Sequence, residues 1–261
     1  MLFKVQRYDP ETKTSRLDSF VIGTPEGMTV LDALFRIQEQ LDPSLSFRYS
    51  CRGAVCGSCA MLINKVPRLA CRTQVAALFG TPTASRLKPW RALEARADWR
   101  PRTEVLVEPL PNLPVLKDLV VDMTRFFDHW RVVEPALKPA QDPPDKEYPM
   151  TPAQVAELEL YTNCILCAAC FGACPVNDQQ ADYLGPAALA KLYRFFLDPR
   201  EGENDPRLLL AHNPEGWWAC QFHTNCRQVC PRGVPPNIAI GQARARLRRL
   251  GKKPLDSLDH D

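Results

Sequence analysis

The chain has 261 residues, of which 45% are hydrophobic and 24% charged, with a net charge of +3. That length allows two modest domains of ordinary globular composition, and so small a charge does not by itself point to nucleic acid. No run approaches the about 18 apolar residues of a membrane-crossing helix. The opening MLFKVQRYDP has charges inside any apolar stretch, so neither a secretory signal nor a mitochondrial presequence is expected, and a reducing prokaryotic cytoplasm is.

In chain order, residues 2–8 and 17–23 read as strands around a turn at Asp9-Pro10. Residues 28–41 have helical spacing at Val30, Leu31, Leu34, Phe35 and Leu41, and Thr29 with Asp32 forms a capping box at the start. Residues 60–70 read as a hairpin turning near Asn64-Lys65, and 103–110 as a last strand. Strand, strand, helix, strand, strand suits a β-grasp ferredoxin. Leu116, Leu119, Val120, Met123, Phe126, Phe127 and Trp130 then predict a core helix over 115–130. The proline-rich stretch 136–150 is a loop, and helices are expected at 152–160, 186–197, 205–211 and 236–250. The expected fold is α+β. A β-grasp domain over 1–118 precedes a mainly α-helical domain over 119–261.

Eleven cysteines cannot all pair with one another, and a reducing compartment disfavours disulfides, so metal ligation is the economical reading. Cys51, Cys56, Cys59 and Cys71 follow the plant-type C-x4-C-x2-C…C pattern of a [2Fe–2S] cluster. Gly53 and Gly57 would let this loop wrap closely and aim amides at sulfur. A structural zinc site is the rival, although zinc favours paired C-x2-C knuckles. Neither G-x-G-x-x-G nor G-x-x-x-x-G-K-[ST] occurs, so a flavin, nicotinamide or nucleotide held by this chain alone is unsupported.

Cys164, Cys167, Cys170 and Cys174-Pro175 form a complete bacterial ferredoxin run. In two-cluster proteins the fourth cysteine of each run serves the other cluster. That rule assigns Cys164, Cys167, Cys170 and Cys230 to a [4Fe–4S] cluster. It leaves Cys174, Cys220 and Cys226 for a second site, and three thiolates suit a [3Fe–4S] cluster. His223 stands where that run would have its remaining cysteine. It is either a neighbour of the cluster or the fourth ligand of a cubane.

At this point the chain resembles the iron–sulfur subunit of succinate dehydrogenase and fumarate reductase. The resemblance rests on SCRGAVCGSCAMLINKVPRLAC (50–71), VEPLPNLPVLKDLVVDM (107–123), NCILCAACFGACP (163–175), YLGPAALAKLYRFFLDPRE (183–201) and WACQFHTNCRQVCPRG (218–233). It implies the three clusters in line, a flavoprotein partner with covalent FAD, and membrane anchor subunits that help bind quinone. It also implies a peripheral place on the cytoplasmic face of the membrane. Substrate chemistry, succinate against fumarate, would belong to the flavoprotein. Electrons would pass from the first cluster to the [4Fe–4S] cluster, then to the third, near quinone. Pro175, Trp218 and His223 are the quinone-proximal candidates. A soluble multi-cluster carrier and a fumarate reductase with a thiol donor are the competing readings.

The sequence departs from that family in three places. An aliphatic residue usually stands where His223 does. The aromatics often found after Cys174-Pro175 are missing from 176–182. The connection over 79–103 is also longer than usual, by about twenty residues. It carries Arg86, Lys88, Arg91, Arg96, Arg100 and Arg102 against Glu94 and Asp98, with Trp90 and Trp99 interleaved. It reads as a solvated loop or a docking segment. Arg244, Arg246, Arg248, Arg249, Lys252 and Lys253 form a basic stripe, read as a solvated helix face or a contact for anionic headgroups or the anchor.

Overall fold

The computed structural model describes residues 1–79, 87–88, 94, 96–142 and 144–254. Along the chain run β1 (Leu2–Asp9), β2 (Thr14–Val21), α1 (Val30–Gln40), β3 (Ala60–Ile63), β4 (Val66–Leu69), β5 (Glu104–Glu108), β6 (Val115–Lys117) and β7 (Val120–Val121). Then come α2 (Thr124–Val132), α3 (Pro152–Thr162), α4 (Ala169–Gly172), α5 (Pro175–Gln179), α6 (Gly185–Leu197), α7 (Asn204–Leu209), α8 (Asn225–Val229) and α9 (Pro236–Arg249). Two compact units form. One comprises Met1–Met123 with Ile165–Ala173; the other comprises Thr124–Cys164 with the described residues from Cys174 onward.

The first unit is built on a five-stranded sheet in the order β2-β1-β5-β3-β4. The central pair β1–β5 is parallel, and the others are antiparallel. This is the β-grasp expected from the sequence. Helix α1 supplies Val30, Leu31, Ala33, Leu34 and Ile37 to the core, and the Thr29–Asp32 capping box is formed. The β3–β4 turn puts Asn64 and Lys65 at φ of 46° and 63°, the left-handed pair a tight hairpin requires.

Strand alternation buries Phe3 and Val5 of β1 and, two residues later, Arg7. A buried guanidinium must be paired. Arg7 Nε donates to Asp118 Oδ1 at 2.9 Å, while its terminal nitrogens reach Asp18, Asp42 and Ser44. Asp118 also accepts the amides of Tyr8 at 3.2 Å and Ser46 at 2.8 Å. These bonds hold Asp118 at φ 47°. They correct the expectation of one helix over 115–130: β6 and β7 form a small hairpin around Asp118, and α2 begins only at Thr124. Apolar spacing was compatible with a helix, but a buried carboxylate tied to two distant segments overrides it.

The long connection is anchored where it is described. Leu87 is buried, Trp99 Nε1 donates to the Glu104 carbonyl at 3.1 Å, and Arg96 pairs with Asp98 at 2.9 Å and with Glu108 at 3.6 Å. Arg86, Trp90 and Arg91 lie outside the described residues.

In the second unit α6 packs against α2, α3, α7 and α9. Its residues Leu189, Leu192 and Tyr193 join Tyr161, Leu208, Trp217, Ile240 and Leu247 in one core. A Thr151–Gln154 capping box, with Pro152 in the first turn, starts α3. Buried Arg207 ties α7 to the segment after α2 by donating to the carbonyls of Glu134 and Ala136, and to the loop before α7 by donating to the Glu201 carboxylate.

Asp118→Ala leaves Arg7 without its most buried partner. The expected cost is about 3 kcal/mol, read as a lower urea midpoint. Asp118→Asn, which keeps acceptor and shape, should cost less. Equal midpoints for wild type and Asp118→Ala would remove this network from the fold's support.

Candidate metal centres

Three cysteine loops share one backbone device. Arg52 and Ala54 follow Cys51 at φ of 54° and 59°. Leu166 and Ala168 flank Cys167 at 53° and 59°, and Phe222 and Thr224 follow Cys220 at 54° and 65°. Left-handed residues spaced in this way turn successive amides toward one concavity, an arrangement suited to anions and common around iron–sulfur clusters.

At the first loop the amides of Gly53, Val55 and Cys56 all donate to Cys51 Sγ, at 3.4, 3.3 and 3.2 Å. The Cys51 amide in turn points at Cys56 Sγ, 3.5 Å away. A hydrogen bond from Ser58, helped by the Cys51 amide, holds the Cys56 thiol down to about 6, whereas burial pushes Cys59 up to about 12. The two glycines differ. Gly57 has φ 76°, and a methyl group on it would lie 2.7 Å from Cys167 Cβ and 2.8 Å from Cys167 Cα. Gly53 has neither constraint: its nearest neighbour would be 3.6 Å away. Its contribution is its amide; of the two, Gly57 alone needs the absence of a side chain, for its close approach to Cys167.

Of the second set, Cys167 and Cys170 lie in the first unit, and Cys164 and Cys230 in the second. Their grouping rests on the sequence pattern. The half-buried ammonium of Lys191, pulled down by desolvation, is drawn back up by Cys164.

The third set is brought together within the second unit. Cys174, Cys220 and Cys226 line one cavity, joined by Pro175, Tyr183 and His223. Cys174 immediately precedes α5, and Cys226 lies in α8. Burial pushes Cys174 up to about 11 and Cys226 to about 12. The amides of Val176 and Asn177 oppose this at Cys174, and those of Arg227 and Asn237 at Cys226. Such thiols become thiolates when a bound metal offsets the cost of burying charge. The Phe222 amide points at Cys220 Sγ from 3.4 Å. Among the described residues, no three Cys, His, Asp or Glu side chains are placed to hold a single metal ion. A cluster spreads its ligands over several irons, so thiols lining a cavity around amides fit it without converging on one point.

His223 Nε2 lies 3.1 Å from Gln221 Oε1. Trp218 lines an adjacent cleft, with Asp182, Glu215, Arg244 and Arg248, and donates to His212 Nδ1 at 2.9 Å. Sequence reasoning missed Arg244. Its guanidinium donates to the carbonyls of Trp217 (2.6 Å), Trp218 (2.8 Å) and Cys220 (2.8 Å), and lies 4.8 Å from the Phe222 ring centre. It braces the third cysteine loop and is not part of a solvated stripe. Arg246 is also engaged, with Asp205. The signal was present: Arg244 follows Ile240 by four positions on the face that buries Ala243 and Leu247.

The family described as "2Fe-2S iron-sulfur cluster binding domain" matches residues 2–128, and that described as "4Fe-4S dicluster domain" matches 161–234. Fold, loops and matches together define an iron–sulfur electron-transfer protein. The chain is 34% identical to the fumarate reductase iron–sulfur subunit of Haemophilus influenzae, over 94% of this chain and 91% of that one. It is 38% identical to that of Mycobacterium tuberculosis (92% and 90%) and 36% identical to the succinate dehydrogenase iron–sulfur subunit of Paracoccus denitrificans (91% and 84%). Its fold matches a chain of the Mycobacterium smegmatis Sdh1 complex in the apo form, with TM-score 0.81 and 24% identity over 97% of this chain and 98% of that one. The chain belongs to the family of fumarate reductase and succinate dehydrogenase iron–sulfur subunits.

Gly57→Ala should lose the [2Fe–2S] signal in electron paramagnetic resonance, because its methyl group meets backbone at a left-handed position. Gly53→Ala should retain it. A Gly57→Ala protein with full iron content would refute the close approach.

Proposed function

We propose that this chain relays electrons between a flavoprotein carrying FAD and a membrane quinone, held at the cytoplasmic face of the membrane by anchor subunits. Cys51, Cys56, Cys59 and Cys71 would hold the [2Fe–2S] cluster, and Cys164, Cys167, Cys170 and Cys230 the [4Fe–4S] cluster. Cys174, Cys220 and Cys226 would hold the [3Fe–4S] cluster. Bound clusters supply one-electron redox chemistry; the protein supplies ligands, amide donors and shelter from water. The observation that carries this reading is the cavity lined by three cysteines, with no fourth among the described residues of its wall.

Exposed apolar side chains beside the two terminal loops support partners on both. Val55 stands in the Cys51 loop at 63% exposed, and Phe222 in the Cys220 loop at 42%. The first would face the flavoprotein and the second the anchor. Among the described residues no helix is long and apolar enough to cross a membrane, so attachment would come from the anchor subunits. The contact between His223 and Gln221 favours a neighbour's role for the histidine, and Pro175 and His223 share the cavity proposed to lie near quinone.

Electron paramagnetic resonance of the oxidised complex at low temperature tests the assignment. A nearly isotropic signal close to the free-electron g value, lost on mild reduction, is expected in the wild type and unchanged in His223→Ala. Loss of the signal in His223→Ala would make the histidine a ligand. Purification without a larger flavin-containing partner would favour a free carrier.

A further inference from the structure

Tyr183 stands just before α6 and is 1% exposed. Its backbone is fixed on three sides. Its carbonyl accepts from Asn177 Nδ2 at 3.0 Å, its amide donates to Gln180 at 3.3 Å, and the next amide donates to Glu215 at 2.9 Å. The side chain therefore enters the cavity of Cys174, Cys220 and Cys226 from a rigid base. Its hydroxyl is buried and makes no well-aligned hydrogen bond. It lies against the Cys220 thiol, with Cys174 and Cys226 close enough to act on it electrostatically.

A buried hydroxyl left without a partner costs about 1–3 kcal/mol. Phenylalanine would fill the same apolar space without that cost. A phenol, with an ordinary pKa of about 10, is a donor at neutral pH. The sulfurs of Cys174, Cys220 and Cys226 are acceptors close to this one.

We propose that the Tyr183 hydroxyl donates a hydrogen bond to sulfur of the cluster held by Cys174, Cys220 and Cys226, and so raises that cluster's reduction potential. The inference rests on the three-thiolate reading above. Reduction adds one electron and breaks no bond. The added negative charge strengthens the hydrogen bond, so the donor favours the reduced state. Tyr183 is a tuning residue and not a ligand.

The test is a redox titration of the intact complex, following the three-iron signal in wild type and Tyr183→Phe. The variant is expected to keep a full-intensity signal. Its one-electron reduction equilibrium should be about three- to tenfold less favourable, where tenfold is about 59 mV. The [2Fe–2S] midpoint should stay in place. A full signal with an unshifted midpoint overturns the inference while leaving the three-thiolate reading intact. No three-iron signal in the wild type overturns both. Should Tyr183→Phe fail to assemble, 3-fluorotyrosine at position 183 keeps shape and is a stronger donor. It is expected to shift the equilibrium toward the reduced state, and no shift there overturns the inference.

Discussion

A thiolate-bound iron–sulfur cluster is an anion, and the chain must turn amide N–H groups toward it. That constraint organises the three cysteine loops. Elsewhere, the described non-glycine residues with positive φ are Lys13, Lys65 and Glu134 together with Asn64, Asn112 and Asp118, the last three being types that tolerate the left-handed region. In the cysteine loops they are Arg52, Ala54, Leu166, Ala168, Phe222 and Thr224, which have no such preference. Each such residue costs on the order of 1–2 kcal/mol. The loops hold that strain because their ends enter well-packed cores: Cys59 and Ala70 in the first unit, Trp217 and Val229 in the second. Strain beside these cysteines is what a preorganised anion site requires.

The buried arginines extend the same argument into the scaffold. Arg7 and Arg207 each link segments far apart in sequence through bonds that no aliphatic side chain could make. Carboxylates or carbonyls take up both guanidiniums, so neither is an isolated buried charge. They fix loop positions that hydrophobic contact alone would leave free to slide. Arg244 applies this device at a site, gripping three backbone carbonyls between Trp217 and Cys220.

Local chemistry made much of this legible in the sequence. Strand alternation, the Thr29–Asp32 cap, the Asn64-Lys65 turn and the cysteine spacings depend on neighbours in sequence, and the fold contains them. The helix expected at 115–130 failed because Asp118 answers to Tyr8 and Ser46, far away along the chain. The paired left-handed residues were invisible, since nothing in Arg, Leu or Phe announces positive φ. Tyr183 resembled any core aromatic. Only the cavity places it with Cys174, Cys220 and Cys226, drawn from two distant stretches of chain.

The two terminal sites solve the anion problem differently. At the first, Cys51 is exposed and three amides converge on its sulfur, so donors and nearby water share the charge. At the third, Cys174 and Cys226 are buried, and desolvation works against negative charge, as their raised thiols record. Burial alone would disfavour the reduced form of a cluster held there, because reduction adds negative charge. Compensation there would come from the Arg244 cation beside Cys220 and from the Tyr183 hydroxyl at the cavity wall. A site with a nearby cation and a buried donor would accept an electron that an apolar cavity of the same shape would resist.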